Sequence, residues 1–188
     1  MTQILERLIN QNEPHLFSVA EFERICNAGV LEQGKRYELL EGEIFEMTPM
    51  GDGHAAFVMN LNERIILQLH GKAKLCPAIP IVILSEESQP EPDFMLIPLE
   101  LYQNRKPRIE EVALVIEISD STLEKDQGKK QRIYARNGIK DYWIINVQEH
   151  QLEVYRNPKG EKYHSVQILT EGQTVAPLEF PDIEIRWW

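Results

Sequence analysis

The stretch ALVIEIS, residues 113–119, is aliphatic and β-branched apart from one carboxylate, Glu117, set between Ile116 and Ile118. A run of this kind reads as a buried strand. Taking an unpaired carboxylate out of water costs several kcal/mol, so a buried strand tolerates one only where something neutralises it. The compensating group is either a basic side chain from elsewhere in the chain or a bound cation. That requirement constrains everything that follows.

The bulk properties narrow the setting. A chain of 188 residues is long enough for one well-cored domain and short for two, so residues 1–188 are read as a single domain. The formal net charge of −10 argues against a protein that coats nucleic acid by bulk electrostatics, because such binding relies on Lys and Arg neutralising phosphates. It leaves room for an enzyme that meets a phosphodiester locally with the help of a divalent cation. Cys26 and Cys76 lie fifty positions apart with no CxxC, the usage expected of reduced thiols in a cytoplasmic protein. Glu6 and Arg7 interrupt the apolar stretch near the N-terminus, so no signal peptide is expected. No apolar run approaches the roughly 20 residues that span a membrane, and no membrane partner is expected.

Along the chain, FSVAEFERICNAG reads as a short amphipathic helix with Ser18 as N-cap, Glu21 three residues on and Gly29 as the stop. RYELLEGEIFEMT reads as a hairpin turning at Glu41–Gly42, with Tyr37, Leu39, Ile44 and Phe45 for packing. A long helix follows, in which Phe57, Leu61, Ile65 and Leu69 recur every four residues and Gly71 ends the pattern. IPIVILS and PDFMLIP are expected strands, the second short or near an edge because prolines bracket it. ALVIEIS and DYWIIN are strands too, joined by a helix that begins at Ser121 or Asp126 and is stopped by Gly138. The tail alternates polar and apolar residues with turns at Asn157–Gly160 and Glu171–Gly172, an antiparallel meander, and Trp187 and Trp188 are expected to pack a sheet edge or an interface. The fold class is therefore mixed α+β, a single α/β domain.

The chemistry-bearing residues converge. Asp93 follows Pro92 at the start of a strand, Glu117 lies in the next strong one, and Asp126, Lys130 and Tyr134 fall at i, i+4 and i+8 on the helix after it. Two carboxylates on neighbouring strands can hold a hard cation such as Mg²⁺, which takes oxygen ligands and keeps waters for chemistry. A nearby lysine can orient an attacking water and neutralise a charged phosphoryl group. The histidines show no zinc-ligand spacing.

The order Pro92–Asp93, Glu117–Ile118–Ser119, Asp126…Lys130…Tyr134, Gly138 and Tyr142–Trp143 resembles the Uma2 family (DUF820), a branch of the PD-(D/E)XK nuclease superfamily. YELLEGEIFEM and the Gly53–His54 entry to the long helix are similar to that family as well, so the resemblance spans about residues 17–186. It implies a restriction-endonuclease-like core, a central mixed sheet flanked by helices, with a Mg²⁺ or Mn²⁺ site that cleaves DNA. The implied metal ligands are Asp93, Glu117 and the Ile118 carbonyl. Ser119 stands where the superfamily has its lysine, and in this family that lysine has moved to the following helix, which maps to Lys130. Glu38 matches the additional upstream acid. His54, Ser119, Asp126 and Tyr134 are expected near substrate, and a homodimer suits an enzyme that cuts both strands of a duplex.

Plainer readings compete. Asp126 and Lys130 form an acid-first i,i+4 pair of the kind that adds roughly 0.2–0.5 kcal/mol to an exposed helix. Glu38 has Glu41, Glu43 and Glu46 beside it, a pattern of a solvated face. Between Ser121 and Lys140 six basic residues meet only Glu124 and Asp126, which suits phosphate contact or an ordinary helix surface. The rival function is a binding or regulatory module on a nuclease-like fold with its site idle.

Overall fold

The computed structural model describes residues 14–47, 51–69, 71–83, 87–101 and 105–187. In chain order its elements are α1 (Val19–Asn27), β1 (Tyr37–Leu40), β2 (Glu43–Glu46), α2 (Asp52–Leu69), β3 (Ala73–Pro77), β4 (Phe94–Pro98) and β5 (Leu114–Ser119). A helical crossover follows: α3 (Leu123–Lys125), a π-helical turn over Asp126–Lys130, and α4 (Gln131–Arg136). Then come β6 (Asp141–Asn146), β7 (Gln151–Lys159), β8 (Lys162–Leu169), β9 (Thr174–Val175) and β10 (Ile185–Arg186). Among the described residues, β3 to β8 make a six-stranded sheet in sequential order. Its pairs are antiparallel except β5–β6, which is parallel and therefore needs the crossover.

Alternation along β5 sorts the core into two layers. Leu114, Ile116 and Ile118 face α2, where Leu61, Ile65 and Leu69 are buried together with Phe180, Ile183 and Trp187 of the C-terminal segment. Phe57 is partly buried in the same layer and stacks on Trp187 at 6.1 Å between ring centroids. Val115 faces the other way, with Met95, Tyr142, Ile144 and the crossover residues Ile133, Tyr134 and Ala135. Glu117 has the parity of Val115, so it is aimed at the crossover helix.

Local signals account for the periphery. Ser18 and Glu21 form the capping box of α1. Strands β1 and β2 pair as a separate hairpin, joined to the body through backbone bonds between Leu39 and Gln89. Gly42 in its turn has φ +76°, and Gly71 beyond α2 has φ +75°.

One of the strand expectations is corrected. Of IPIVILS, the described residues 79–83 make only isolated bridges, Val82 to Arg108 and Ile83 to Ser88, and its last two residues lie outside the described set. Strand β4 is short as expected but is paired on both sides. Pro98 closes it and Pro92 precedes it, so no ladder donor is lost in its middle. The tail is an antiparallel meander through β7 and β8 and leaves the six-stranded sheet after Leu169, where among the described residues β9 and β10 pair with each other, with Pro177 and Pro181 between them. Trp187 is buried in the core, while Trp188 lies outside the described residues. Among those residues no helix is long and apolar enough to cross a membrane.

Gly42 carries a testable constraint. A Cβ there would stand 2.6 Å from the Leu16 Cβ at a left-handed φ, so Gly42→Ala should cost about 1–3 kcal/mol in urea unfolding. Gly172→Ala is the control, since φ is +84° but the nearest atom is the Arg186 Nη2 at 3.7 Å. Equal losses in the two variants would refute the steric part of this account.

Candidate active site

Glu117 is 2 % exposed, and its charge meets a specific answer. The Lys130 ammonium donates to its Oε1 at 3.0 Å and the Tyr134 hydroxyl at 2.9 Å. Lys130 ends the π turn and Tyr134 lies on α4, so one helical segment supplies both donors. Among the described residues nothing donates to Oε2, and Glu117 lines a cleft of about 290 Å³. Asp141 makes the contrast. It is equally buried, but Trp143 Nε1, Arg156 Nε and Nη2 and the Leu178 amide saturate both of its oxygens. Asp141 is a structural acid; Glu117 keeps an oxygen for something else.

Asp93 sits just before β4. Pairing of β4 with β5 stops at Phe94–Ile116, so among the described residues the β4 side of β5 has no strand beside it at Ile118. The Asp93 Oδ2 fills the gap and accepts the Ile118 amide at 2.7 Å, and its Oδ1 meets the His54 Nε2 at 3.0 Å. A strand residue points its N–H and C=O to the same edge, so the Ile118 carbonyl looks into the same gap. His54 comes from the first turns of α2. Burial disfavours its imidazolium, but the hydrogen bond and charge of Asp93 outweigh that and hold its pKa above the ordinary value.

Glu38 reaches the centre from β1 and is fully buried. It accepts from Lys125 at 2.7 Å and from the Glu91 amide at 3.3 Å, and stands 3.3 Å from Lys130. Lys130 therefore has three carboxylates around it: Glu117 at 3.0 Å, Glu38 at 3.3 Å and Asp126 at 3.9 Å. The Asp126 Oδ2 is held in turn by the hydroxyls of Ser119 and Thr122, each at 2.6 Å. Burial opposes the Lys130 charge, yet these acids and Asp93 drive its pKa well above the usual lysine value, so it stays an ammonium. Burial drives Glu117 well above the carboxylate range against the pull of Lys130, with Asp126, Asp93 and Glu38 pushing the same way.

The structure thus brings Asp93, Glu117, Ile118, Lys130, Glu38, His54, Ser119, Asp126 and Tyr134 into one region. Ser119 and Tyr134 are 0 % exposed and bond to Asp126 and Glu117, so they orient other residues and offer no surface to substrate. The basic face of the crossover helix is largely spent internally. Lys125 pairs with Glu38, Lys129 with Glu43, Arg132 approaches Glu41 at 3.9 Å, and Arg136 binds Glu41 and Glu161. Two of the hairpin acids that read as a solvated face, Glu41 and Glu43, are the partners of that basic stripe, while Glu46 pairs with Lys35.

Sequence reasoning missed Thr122 and Arg36, and it counted Lys125 only among the six basic residues between Ser121 and Lys140. Thr122 precedes the helix, where a hydroxyl commonly bonds locally, and that was an available signal. Lys125 had only its charge to mark it. Arg36 lines the cleft paired with Glu91, and nothing around it in the sequence points there.

Charge decides what else belongs in the cleft. Six carboxylates, Glu38, Glu91, Asp93, Glu117, Asp120 and Asp126, lie in or beneath it against the cations Arg36, Lys125 and Lys130. Among the described residues no three His, Cys, Asp or Glu side chains form a ready metal cage. The Asp93 carboxylate, the open Glu117 oxygen and the carbonyl edge at Ile118 are nevertheless a hard-oxygen set. Such a set suits Mg²⁺ or Mn²⁺ with water completing the shell.

The family model for Uma2, described as "Putative restriction endonuclease", matches residues 19–187. No curated protein matches the chain. Among solved structures, a "putative nuclease belonging to DUF820" from Anabaena variabilis superposes with a TM-score of 0.67 at 16 % identity, over 88 % of this chain and 91 % of that one. At that identity the likeness is one of fold.

Glu38 sets a pH dependence. Burial opposes its charge, but Lys130 and Lys125 outweigh burial and hold its pKa below the ordinary 4.5. A depressed pKa contributes stability that is fully present above the unfolded value and is lost as pH falls through the folded one. Urea midpoints followed downward from about pH 5 should therefore fall more steeply for the wild type than for Glu38→Gln. Parallel curves would show that Glu38 gains nothing from its lysines.

Proposed function

This chain belongs to the Uma2 family, and on that footing we propose that its cleft is the active centre of a metal-dependent endonuclease hydrolysing phosphodiester bonds in DNA. One observation carries the reading: a buried carboxylate, Glu117, keeps an unbonded oxygen toward an acidic cleft while its other oxygen is fixed by Lys130 and Tyr134. Asp93, Glu117 and the Ile118 carbonyl would hold Mg²⁺ or Mn²⁺. When bound, that ion supplies charge neutralisation and an acidified water.

The chain's own residues divide the remaining work. Lys130, held as an ammonium, cannot take a proton from water near neutral pH. It acts as a fixed positive donor that orients water and stabilises charge building on the phosphoryl oxygens. Tyr134 locks the Glu117 carboxylate, and His54 fixes the orientation of Asp93. Glu38 and Asp126 hold Lys130 from two further sides, so the ammonium does not depend on Glu117 alone. Cutting both strands of a duplex would use two such centres, as a homodimer provides.

The rival reading, a nuclease-fold binding module with an idle centre, draws on the same ammonium. Lys130 is already engaged by carboxylates, and Ser119 rather than a lysine follows Glu117 on β5.

Calorimetry with Mn²⁺ and Mg²⁺ separates the readings without needing a cognate sequence. The wild type should bind and Glu117→Gln should not. With duplex DNA supplied, that variant should also cleave at least about a hundredfold more slowly. Its melting temperature should hold or rise, because a buried charge is gone and Lys130 keeps Glu38 and Asp126. If Glu117 were only half of a structural ion pair, losing it should instead cost about 3–5 kcal/mol.

A further inference from the structure

A second buried carboxylate lies behind the candidate site. Glu153 of β7 is 5 % exposed, and among the described residues no lysine or arginine pairs with it. Neutral donors hold it. Gln127 Nε2 reaches both of its oxygens, at 3.0 and 2.8 Å, Tyr155 donates to Oε2, and Asn146 Nδ2 stands 3.4 Å from Oε1. A buried acid without a cation is costly, and an apolar residue facing Gln127 would be cheaper. Gln127 is itself at the surface and needs no buried partner for its own sake.

Gln127 is the second residue of the π turn. The first, Asp126, has its carbonyl held from below by the Tyr142 hydroxyl at 3.0 Å, in addition to the Gln131 amide of the helix. Two side chains of the sheet, Glu153 and Tyr142, therefore grip two successive residues of this turn. A π turn holds more residues than an α turn, and such turns persist where something opposes their relaxation. Each residue of an α-helix adds about 100° of rotation, so relaxing by one residue would swing Lys130 and Tyr134 by roughly that angle relative to Asp126. Both donors to Glu117 would then leave it.

We propose that Glu153 is a positioning residue for the candidate active site: by anchoring Gln127 it keeps the π turn wound and so keeps the Lys130 ammonium on Glu117. Its role in turnover rests on the endonuclease reading above; its role in geometry does not.

The test uses Gln127→Ala, which removes the anchor from its surface side, beside Glu153→Gln, which keeps an acceptor for Gln127. The first readout is the nitrogen-detected NMR signal of the Lys130 ammonium at neutral pH, with hydrogen exchange of the amides from Asp126 to Gln131. The second is Mn²⁺-dependent cleavage. Gln127→Ala should erase the ammonium signal, speed exchange in the turn but not in α2, and lower kcat about ten- to a hundredfold with KM unchanged. Glu153→Gln should stay near wild type in all of these. An ammonium signal and turn exchange untouched by Gln127→Ala would overturn the proposal, as would faster exchange with kcat intact. A wild type that neither binds Mn²⁺ nor cleaves DNA would sink the endonuclease reading, while the NMR and exchange results would still decide the clamp.

Discussion

A single ammonium holds the centre of this molecule together. Lys130 faces Glu117 from β5, Glu38 from the hairpin and Asp126 from its own turn, all within 3.9 Å. Without it, three carboxylates would share a dry interior, where like charges raise each other's energy and desolvation adds to the cost. Hairpin, sheet and crossover therefore bring their buried acids to one shared cation. The same balance leaves the cleft over-supplied with acid, which is the condition a cation would relieve.

The hairpin is fixed by a different kind of contact. Exposed ion pairs contribute at most about 1 kcal/mol each and often nothing, so the pairs of Glu41 and Glu43 with Lys129 and Arg136 would do little singly. They act beside firmer links: the Leu39–Gln89 backbone bonds, the buried Glu38, and Phe45 beneath the Lys129 ammonium at 4.7 Å. The surface charges align a hairpin that the buried ones anchor. A basic stripe in the sequence can thus be an internal docking surface as readily as a phosphate track, and its partners decide which.

Periodicity and caps made much of this legible. The α1 capping box, the four-residue repeat in α2, the runs of β5 and β6 and the turn at Glu41–Gly42 all announce themselves because each is decided by neighbours in sequence. Glu117 was conspicuous for the opposite reason, as a charge that local rules disfavour. What escaped was set by distant partners. The π turn has no signature beyond Gly128, since the grip on it comes from Glu153 and Tyr142 in other strands. Residues 81–83 read as a strand because apolar β-branched residues suit one, yet tertiary context gave them only bridges. Arg36 reaches the cleft through the path of the hairpin, which spacing alone does not reveal.

Among the described strands of the six-stranded sheet, β5 and β6 run parallel, and this pair has a consequence that lies in handedness. A crossover between parallel neighbours is right-handed in nearly all proteins, because of the twist of strands built from L-amino acids. Once β5 and β6 run parallel, the connecting helix has one side of the sheet open to it. Lys130 and Tyr134 can arrive only there, and Glu117 must take the parity that faces that side. Moving the carboxylate one position along β5, to 116 or 118, would aim it into the aliphatic layer under α2, beyond reach of either donor. The side of the sheet on which chemistry can occur is thus inherited from the chirality of the amino acids themselves.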